Sequence, residues 1–157
     1  MTQHGLIGKF LKTIDMENCN AKTTPGAVTP LGSNVNGAPH YEKWEYASAV
    51  GMLMHLAGNV HPEIAFAVHQ CARFTHSPKG THTDAVKCIG KYLKGILDNE
   101  QGLMFNPTTD ITLDGFCDAD FAGLWGYEDD QYPICVRSRS GYVMTMGGCP
   151  IHWTSKL

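Results

Sequence analysis

The sequence predicts an α+β protein in which a helical region precedes an incomplete antiparallel sheet. Apolar residues recur at helical spacing in residues 3–15, 43–59, 62–74 and 81–97. After residue 102 the pattern changes to short apolar runs separated by glycine, proline and aspartate, at residues 103–105, 111–117, 141–146 and 151–154. This change of period divides the chain into a helical region, residues 1–99, and a strand region, residues 100–157.

Proline and glycine set the boundaries between the predicted helices. Residues 18–39 contain three prolines and three glycines, which favour turns and forbid a long helix, so we predict an extended connector here. Pro62 suits the first turn of a helix, where a backbone N–H has no intrahelical partner. In the last helix the apolar residues lie on one side, and another side carries a stripe of three lysines: Lys87, Lys91 and Lys94.

The composition is that of a globular chain with a core of its own. Hydrophobic residues make up 43% of the sequence and charged residues 17%. The six cysteines lack the close spacing of a disulfide framework, so we predict that they are reduced. No apolar run approaches the roughly 20 residues that span a bilayer, and the N-terminal stretch does not resemble a signal peptide. We therefore expect a cytoplasmic or nuclear protein without a membrane partner.

Charged residues are distributed unevenly along the chain. Residues 73–94 contain a single acid and five cations: Arg73, Lys79, Lys87, Lys91 and Lys94. Every charged residue from 98 to 130 is an acid, and Arg137 and Arg139 follow beside a predicted strand. This division suits a protein that holds a polyanion near metal-binding carboxylates. The alternative is that the cations and acids are solvated, or pair with their neighbours.

Seven short segments, in a fixed order, give the chain a resemblance to a known family. They are TQHGLI at residues 2–7, YASAVGML at 46–53, HPEIAFAV at 61–68, YLKG at 92–95, CDADFAG at 117–123, SRSGYV at 138–143 and IHWTSK at 151–156. Each segment alone is weak evidence, but the ordered set is specific and covers almost the whole chain. The sequence resembles the Pol polyproteins of copia-type LTR retrotransposons.

The resemblance implies where in such a polyprotein the segment lies. In that family the first segments follow the palm of the reverse transcriptase, the central helices form its thumb and connecting region, and the Asp-Ala-Asp strand opens ribonuclease H. The paired aspartates of the palm would precede Met1, and a helix with a catalytic glutamate would follow Leu157. We therefore expect a thumb-like helical region followed by a truncated ribonuclease H-like sheet.

The resemblance also implies a role for carboxylates in the strand region. Ribonucleases of this kind use two magnesium or manganese ions, held by several converging carboxylates, to orient water and stabilise the leaving oxygen. By resemblance Asp118 is a catalytic, metal-binding carboxylate. Asp120, on the same side of the strand, is a weaker catalytic candidate or a loop-capping residue. The alternative is that both aspartates only terminate a strand. Asp114 and Glu128 are expected to be solvated.

Two functions fit these observations. In the first, the chain is part of a polyprotein enzyme, grips an RNA–DNA hybrid or other nucleic acid, and supplies one metal-binding carboxylate. Because the other acids are missing, the chain by itself should neither hold a metal stably nor cleave RNA. In the second, it is a decayed or repurposed product that binds nucleic acid or a protein. An uncovered sheet should expose Val143, Ile151 and Trp153, which predicts a protein partner or poor solubility.

Overall fold

Helices form the first part of the chain and strands the second. This is the arrangement in a computed structural model, which describes residues 2–27, 29–99, 102–104, 111–128, 131 and 133–157. The described residues fall into two compact units, Thr2–Gly102 and Leu103–Leu157, here called the helical unit and the strand unit. The α+β class predicted from the sequence is confirmed.

The helical unit contains four α-helices at the positions that apolar periodicity predicts. They are α1 (His4–Thr13), α2 (Tyr46–Asn59), α3 (Ala65–Ala72) and α4 (Gly80–Asp98). A short 3₁₀ helix, Pro62–Ile64, leads into α3 and begins at the predicted proline. The sequence placed the start of α2 at Lys43, but α2 begins at Tyr46 because the Glu45 carboxylate accepts the backbone N–H groups of Ala47 and Ser48.

Helices α1 and α4 pack closely against each other in the core of the helical unit. Helix α1 buries Ile7, Phe10 and Leu11. Opposite them on α4 stands Gly90, where an added Cβ would lie 3.0 Å from Cδ1 of Ile14 and 3.5 Å from Phe10. The two helices approach this closely because Gly90 has no side chain to separate them.

The connector between α1 and α2 is fixed to the start of α4. Its described residues form neither helix nor strand, as predicted, apart from a single bridge between Pro39 and Lys79. A hydrogen bond of 2.7 Å joins Nδ1 of His40 to Thr83 Oγ1, and Nε2 of His40 donates to the carbonyl of Trp44 at 2.8 Å. The bond to Thr83 joins a segment without regular structure to α4, 43 residues later in the chain.

The strand unit is an antiparallel sheet in the order β1 (Leu113–Ala119), β2 (Ser140–Met146) and β3 (Cys149–Lys156). Gly147 and Gly148 form the loop between β2 and β3 with φ angles of 56° and 76°, the positive values that a two-residue hairpin turn requires. The sequence also predicted a strand at residues 103–105. Leu103 and Met104 belong to no strand, and residue 105 lies outside the described residues.

Exposure in the sheet differs from the prediction in detail. Every residue of β1 is exposed, and Ile151 is 42% exposed, as expected for an uncovered sheet. Val143 and Trp153 are half-buried, so the expectation that they would be exposed is wrong. They stand opposite each other in β2 and β3, and a directly opposed pair shields part of its own surface.

Candidate carboxylate site and lysine cluster

Asp118 lies one residue before the end of β1, and it is exposed to solvent. It stands opposite Gly141 in the antiparallel pair with β2. Directly opposed residues share a face of the sheet, so no side chain faces Asp118 across the strand pair. Within the described part of the chain no hydrogen bond or ion pair engages its carboxylate. Its oxygens are therefore accessible to a cation.

Asp120 has a different environment. Its Oδ1 accepts the backbone N–H of Arg139 at 2.5 Å, and its own N–H donates to the carbonyl of Arg139 at 3.0 Å. Its other oxygen lies close over Gly123, where an added Cβ would stand 2.2 Å away. This geometry is that of a carboxylate that ties the end of β1 to the start of β2, which is the loop-capping alternative for Asp120.

The two arginines beside β2 also differ. Arg139 is buried, with 8% of its surface exposed, and its Nη1 donates to Ser155 Oγ on β3 at 3.3 Å. Arg137 is exposed at the end of a short 3₁₀ helix, Pro133–Val136. Glu128 is buried as well, with 9% of its surface exposed, so the expectation that it would be solvated is wrong.

A divalent metal needs several converging oxygen ligands. The described residues contain no group of three or more aspartate, glutamate, histidine or cysteine side chains able to hold one. At the C-terminal end of β1, Asp118 offers an accessible carboxylate, whereas the carboxylate of Asp120 already accepts a hydrogen bond from the backbone of Arg139. These donors do not by themselves fit a magnesium or manganese ion.

The lysine stripe on α4 is partly neutralised by acids. Nζ of Lys87 bonds Oε1 of Glu42, and the two side chains are only 29% and 24% exposed. This hydrogen bond is the main cause that raises the pKa of Lys87 above its ordinary value. Lys94 pairs with Asp98 one turn later at 2.7 Å. Of the three lysines in the stripe, only Lys91 forms no ion pair with a described residue.

Arg73 and Lys79, the other predicted phosphate contacts, have local roles. Nη1 of Arg73 donates to the carbonyl of Leu31 at 3.1 Å and to Gln70 Oε1 at 3.0 Å, which fastens the connector to α3. Lys79 is the residue before α4, and its N–H donates to Nδ1 of His82 at 2.9 Å. Contact of either side chain with nucleic acid stays a prediction.

The structure adds one cation that the sequence did not predict. The backbone N–H of Lys22, in the connector, donates to the carbonyl of Lys91 at 3.1 Å, and Nζ of Lys22 lies 3.5 Å from Sγ of Cys88. Lys22, Lys87 and Lys91, here called the lysine cluster, line one polar cleft of about 490 Å³. Three acids line it too: Asp15, Glu42 and Asp84. No signal in the sequence indicates this, because Lys22 and Cys88 are 66 residues apart.

A second, apolar cleft of about 270 Å³ lies between the connector, α3 and α4. Cys71 and Cys88 are among its lining residues. Burial raises the pKa of the Cys71 thiol to about 12, so the thiol is neutral and a poor nucleophile at physiological pH.

None of the described helices is both long and apolar enough to cross a bilayer.

Comparison with known proteins identifies the class of protein. The chain is 32% identical over 156 residues to the retrovirus-related Pol polyprotein from transposon RE1 of Arabidopsis thaliana, covering 99% of this chain and 10% of that protein. It is 33% identical over 163 residues to the corresponding polyprotein from transposon TNT 1-94 of Nicotiana tabacum, covering 100% of this chain and 11% of that protein. These relatives define the class of protein as that of retroelement polyproteins.

The chain belongs to the family of retrovirus-related Pol polyproteins of copia-type transposons. It spans about a tenth of the length of the transposon polyproteins that it matches. A shorter relative, secreted RxLR effector protein 161 of Plasmopara viticola, is 35% identical over 111 residues, which are 71% of this chain and 71% of that protein. No protein-family model and no solved structure matches the chain.

Proposed function

We propose that this segment joins the end of a reverse transcriptase to the start of a ribonuclease H domain in a copia-type polyprotein. Family membership over the whole chain supports this proposal, together with the order of a helical unit followed by an antiparallel sheet. The observation that carries it is the position of Asp118. An accessible carboxylate at the end of the first strand is what a metal-dependent nuclease of this class requires there.

The helical unit holds the template–primer hybrid in this proposal. Its lysines would contact the phosphate backbone, which is the usual partner of surface lysine in nucleic-acid complexes and carries no sequence information. Among the three lysines of the α4 stripe Lys91 is the best placed, because Lys87 and Lys94 each have an acid partner. Binding should therefore depend on salt and little on base sequence.

Asp118 contributes one carboxylate to RNA cleavage in the parent protein. A bound magnesium or manganese ion would supply the charge that activates water there. In this proposal other parts of the polyprotein supply the remaining ligands, since the described residues do not by themselves fit such an ion. The chain by itself is expected not to cleave RNA, and its place of action is the cytoplasm or the nucleus.

A cleavage assay on an extended chain tests this function. The chain is fused to the stretch that follows the matching region in the tobacco polyprotein, and cleavage of a labelled RNA–DNA hybrid is followed with magnesium. We expect cleavage by the fusion, its loss in Asp118→Asn, a smaller loss in Asp120→Asn, and no loss in the control Asp114→Asn, an exposed acid of the same strand. Cleavage that survives Asp118→Asn would contradict the proposed role.

The second candidate function is a non-catalytic product that binds nucleic acid or a protein. The short relative named as a secreted effector favours it, because most of that chain corresponds to this segment alone. Apolar side chains exposed on the sheet would suit a protein partner; they are Leu113, Phe116, Tyr142, Met144 and Ile151. A fusion that folds and binds hybrid but shows no cleavage at any magnesium concentration would favour this function over the first.

A further inference from the structure

The lysine cluster is a single surface built from two distant parts of the sequence. Lys91 and Lys87 belong to successive turns of α4, and the backbone bond from Lys22 to Lys91 holds the connector lysine beside them. Neither Lys22 nor Lys91 forms an ion pair among the described residues. The cleft therefore carries two ammonium groups without an ion-pair partner in the described part of the chain, those of Lys22 and Lys91, beside the acids Asp15, Glu42 and Asp84. Unpaired lysines are the groups that can contact a phosphate without first breaking an ion pair.

The third lysine of the cluster is held differently. Lys87 bonds Glu42, and Asp84 on the preceding turn adds a second nearby negative charge. Both partners of the Lys87–Glu42 pair are half-buried, and partial shielding from water makes an ion pair stronger than at a fully exposed site. A phosphate can use Lys87 only by displacing the Glu42 carboxylate or by binding against its repulsion.

We propose that Lys22 and Lys91 form the phosphate-binding centre of the helical unit, and that Glu42 acts as an internal competitor that withholds Lys87 from the nucleic acid. This inference rests on the proposed function, since it assumes that the helical unit binds a hybrid. Glu42 thereby limits affinity for any polyanion, so that the unit holds a duplex loosely enough to release it. Lys94, paired with Asp98 and outside the cleft, is not part of the centre.

The test is the salt dependence of binding of the full chain to a labelled RNA–DNA hybrid, measured by fluorescence anisotropy over a series of potassium chloride concentrations. In a plot of log affinity against log salt, each phosphate contact makes the negative slope steeper by about 0.9. Lys22→Met and Lys91→Met should each make the slope shallower by about one contact. Glu42→Gln should tighten binding and make the slope steeper by a similar amount, because it frees Lys87.

Two comparisons separate this mechanism from a general effect of charge. Asp98→Asn changes net charge as Glu42→Gln does, but the freed cation, Lys94, lies outside the cleft, so the slope should not change. Lys87→Met should have little effect in the wild-type chain and should abolish the gain in the Glu42→Gln background. Helical circular dichroism of every variant shows whether the unit remains folded.

The outcomes distinguish the two proposals. Equal gains from Glu42→Gln and Asp98→Asn, or a gain that survives removal of Lys87, would overturn the competitor role of Glu42 and leave hybrid binding intact. Unchanged slopes in Lys22→Met and Lys91→Met, with binding retained, would overturn the proposed centre. Absence of hybrid binding by the wild-type chain and by Glu42→Gln at low salt would overturn both this inference and the hybrid-binding part of the proposed function.

Discussion

Gly90 provides the sharpest test of the helical core. In the interior of α4, replacing glycine by alanine should stabilise the helix by about 1 kcal/mol from backbone propensity alone. The added methyl carbon would lie 3.0 Å from Cδ1 of Ile14, closer than a normal carbon contact, and overpacking of a core costs about 1 to 3 kcal/mol. The two effects oppose each other, so Gly90→Ala should be neutral or destabilising by up to about 2 kcal/mol.

Gly51 is the matched control. It lies within α2, and an added Cβ there would meet nothing within 4 Å. Gly51→Ala should therefore gain the full propensity term, about 1 kcal/mol, which corresponds to roughly 4 to 8 °C in the melting temperature of a unit of this size. Thermal unfolding followed by far-ultraviolet circular dichroism compares the two variants. A stabilisation of Gly90→Ala equal to that of Gly51→Ala would refute the close approach of α1 to α4.

Two further predictions concern a buried thiol and the end of β1. Burial raises the pKa of Cys71 from 9.0 to about 12, so iodoacetamide should label the exposed Cys117 well before Cys71 in the folded chain, and equal labelling would contradict this. The folded state holds the Cys71 thiol proton more tightly than the unfolded state does. The stability that this preference contributes is therefore complete below the ordinary pKa of 9.0 and is lost as pH rises toward 12. Urea unfolding at alkaline pH measures the loss. Asp120→Ala should lower the free energy of unfolding by about 1 to 3 kcal/mol, since the N–H of Arg139 loses its acceptor, whereas Asp118→Ala should change it by less than about 0.5 kcal/mol. Equal losses from the two aspartate variants in a denaturant titration would show that Asp120 does not cap the loop.

Periodicity predicted the positions of the regular elements because helices and strands are set by local spacing. Helix α4 was predicted at residues 81–97 and spans Gly80–Asp98. The ends of helices were predicted less well, because they depend on particular capping side chains and not on the spacing of apolar residues. The start of α2 was placed too early because the capping carboxylate of Glu45 was not recognised as the boundary.

The candidate site was predicted only in part. The position of Asp118 near the end of a strand follows from the sequence, and so does the lysine stripe of α4. The environments of Asp120 and Arg139 could not be predicted from the sequence, because the hydrogen bonds between these two residues join the two ends of a long loop. Burial of Glu128 and Arg139 likewise depends on how that loop folds. The sequence predicted a solvated Glu128, and for Arg139 either a phosphate contact or a pair with a neighbouring acid.

The sequence by itself determined the family, the order of helices and strands, and which residue types are available for chemistry, since all three are properties of local pattern and of the order of motifs. The tertiary structure decided which of those charges remain available to a ligand. Lys94 and Asp98 are four residues apart on one helix, so their pairing is visible in the sequence. Glu42 meets Lys87 across 45 residues, and Lys22 reaches α4 only through the fold of the connector. Coulomb interactions depend on distance in space, and only folding brings these distant positions together.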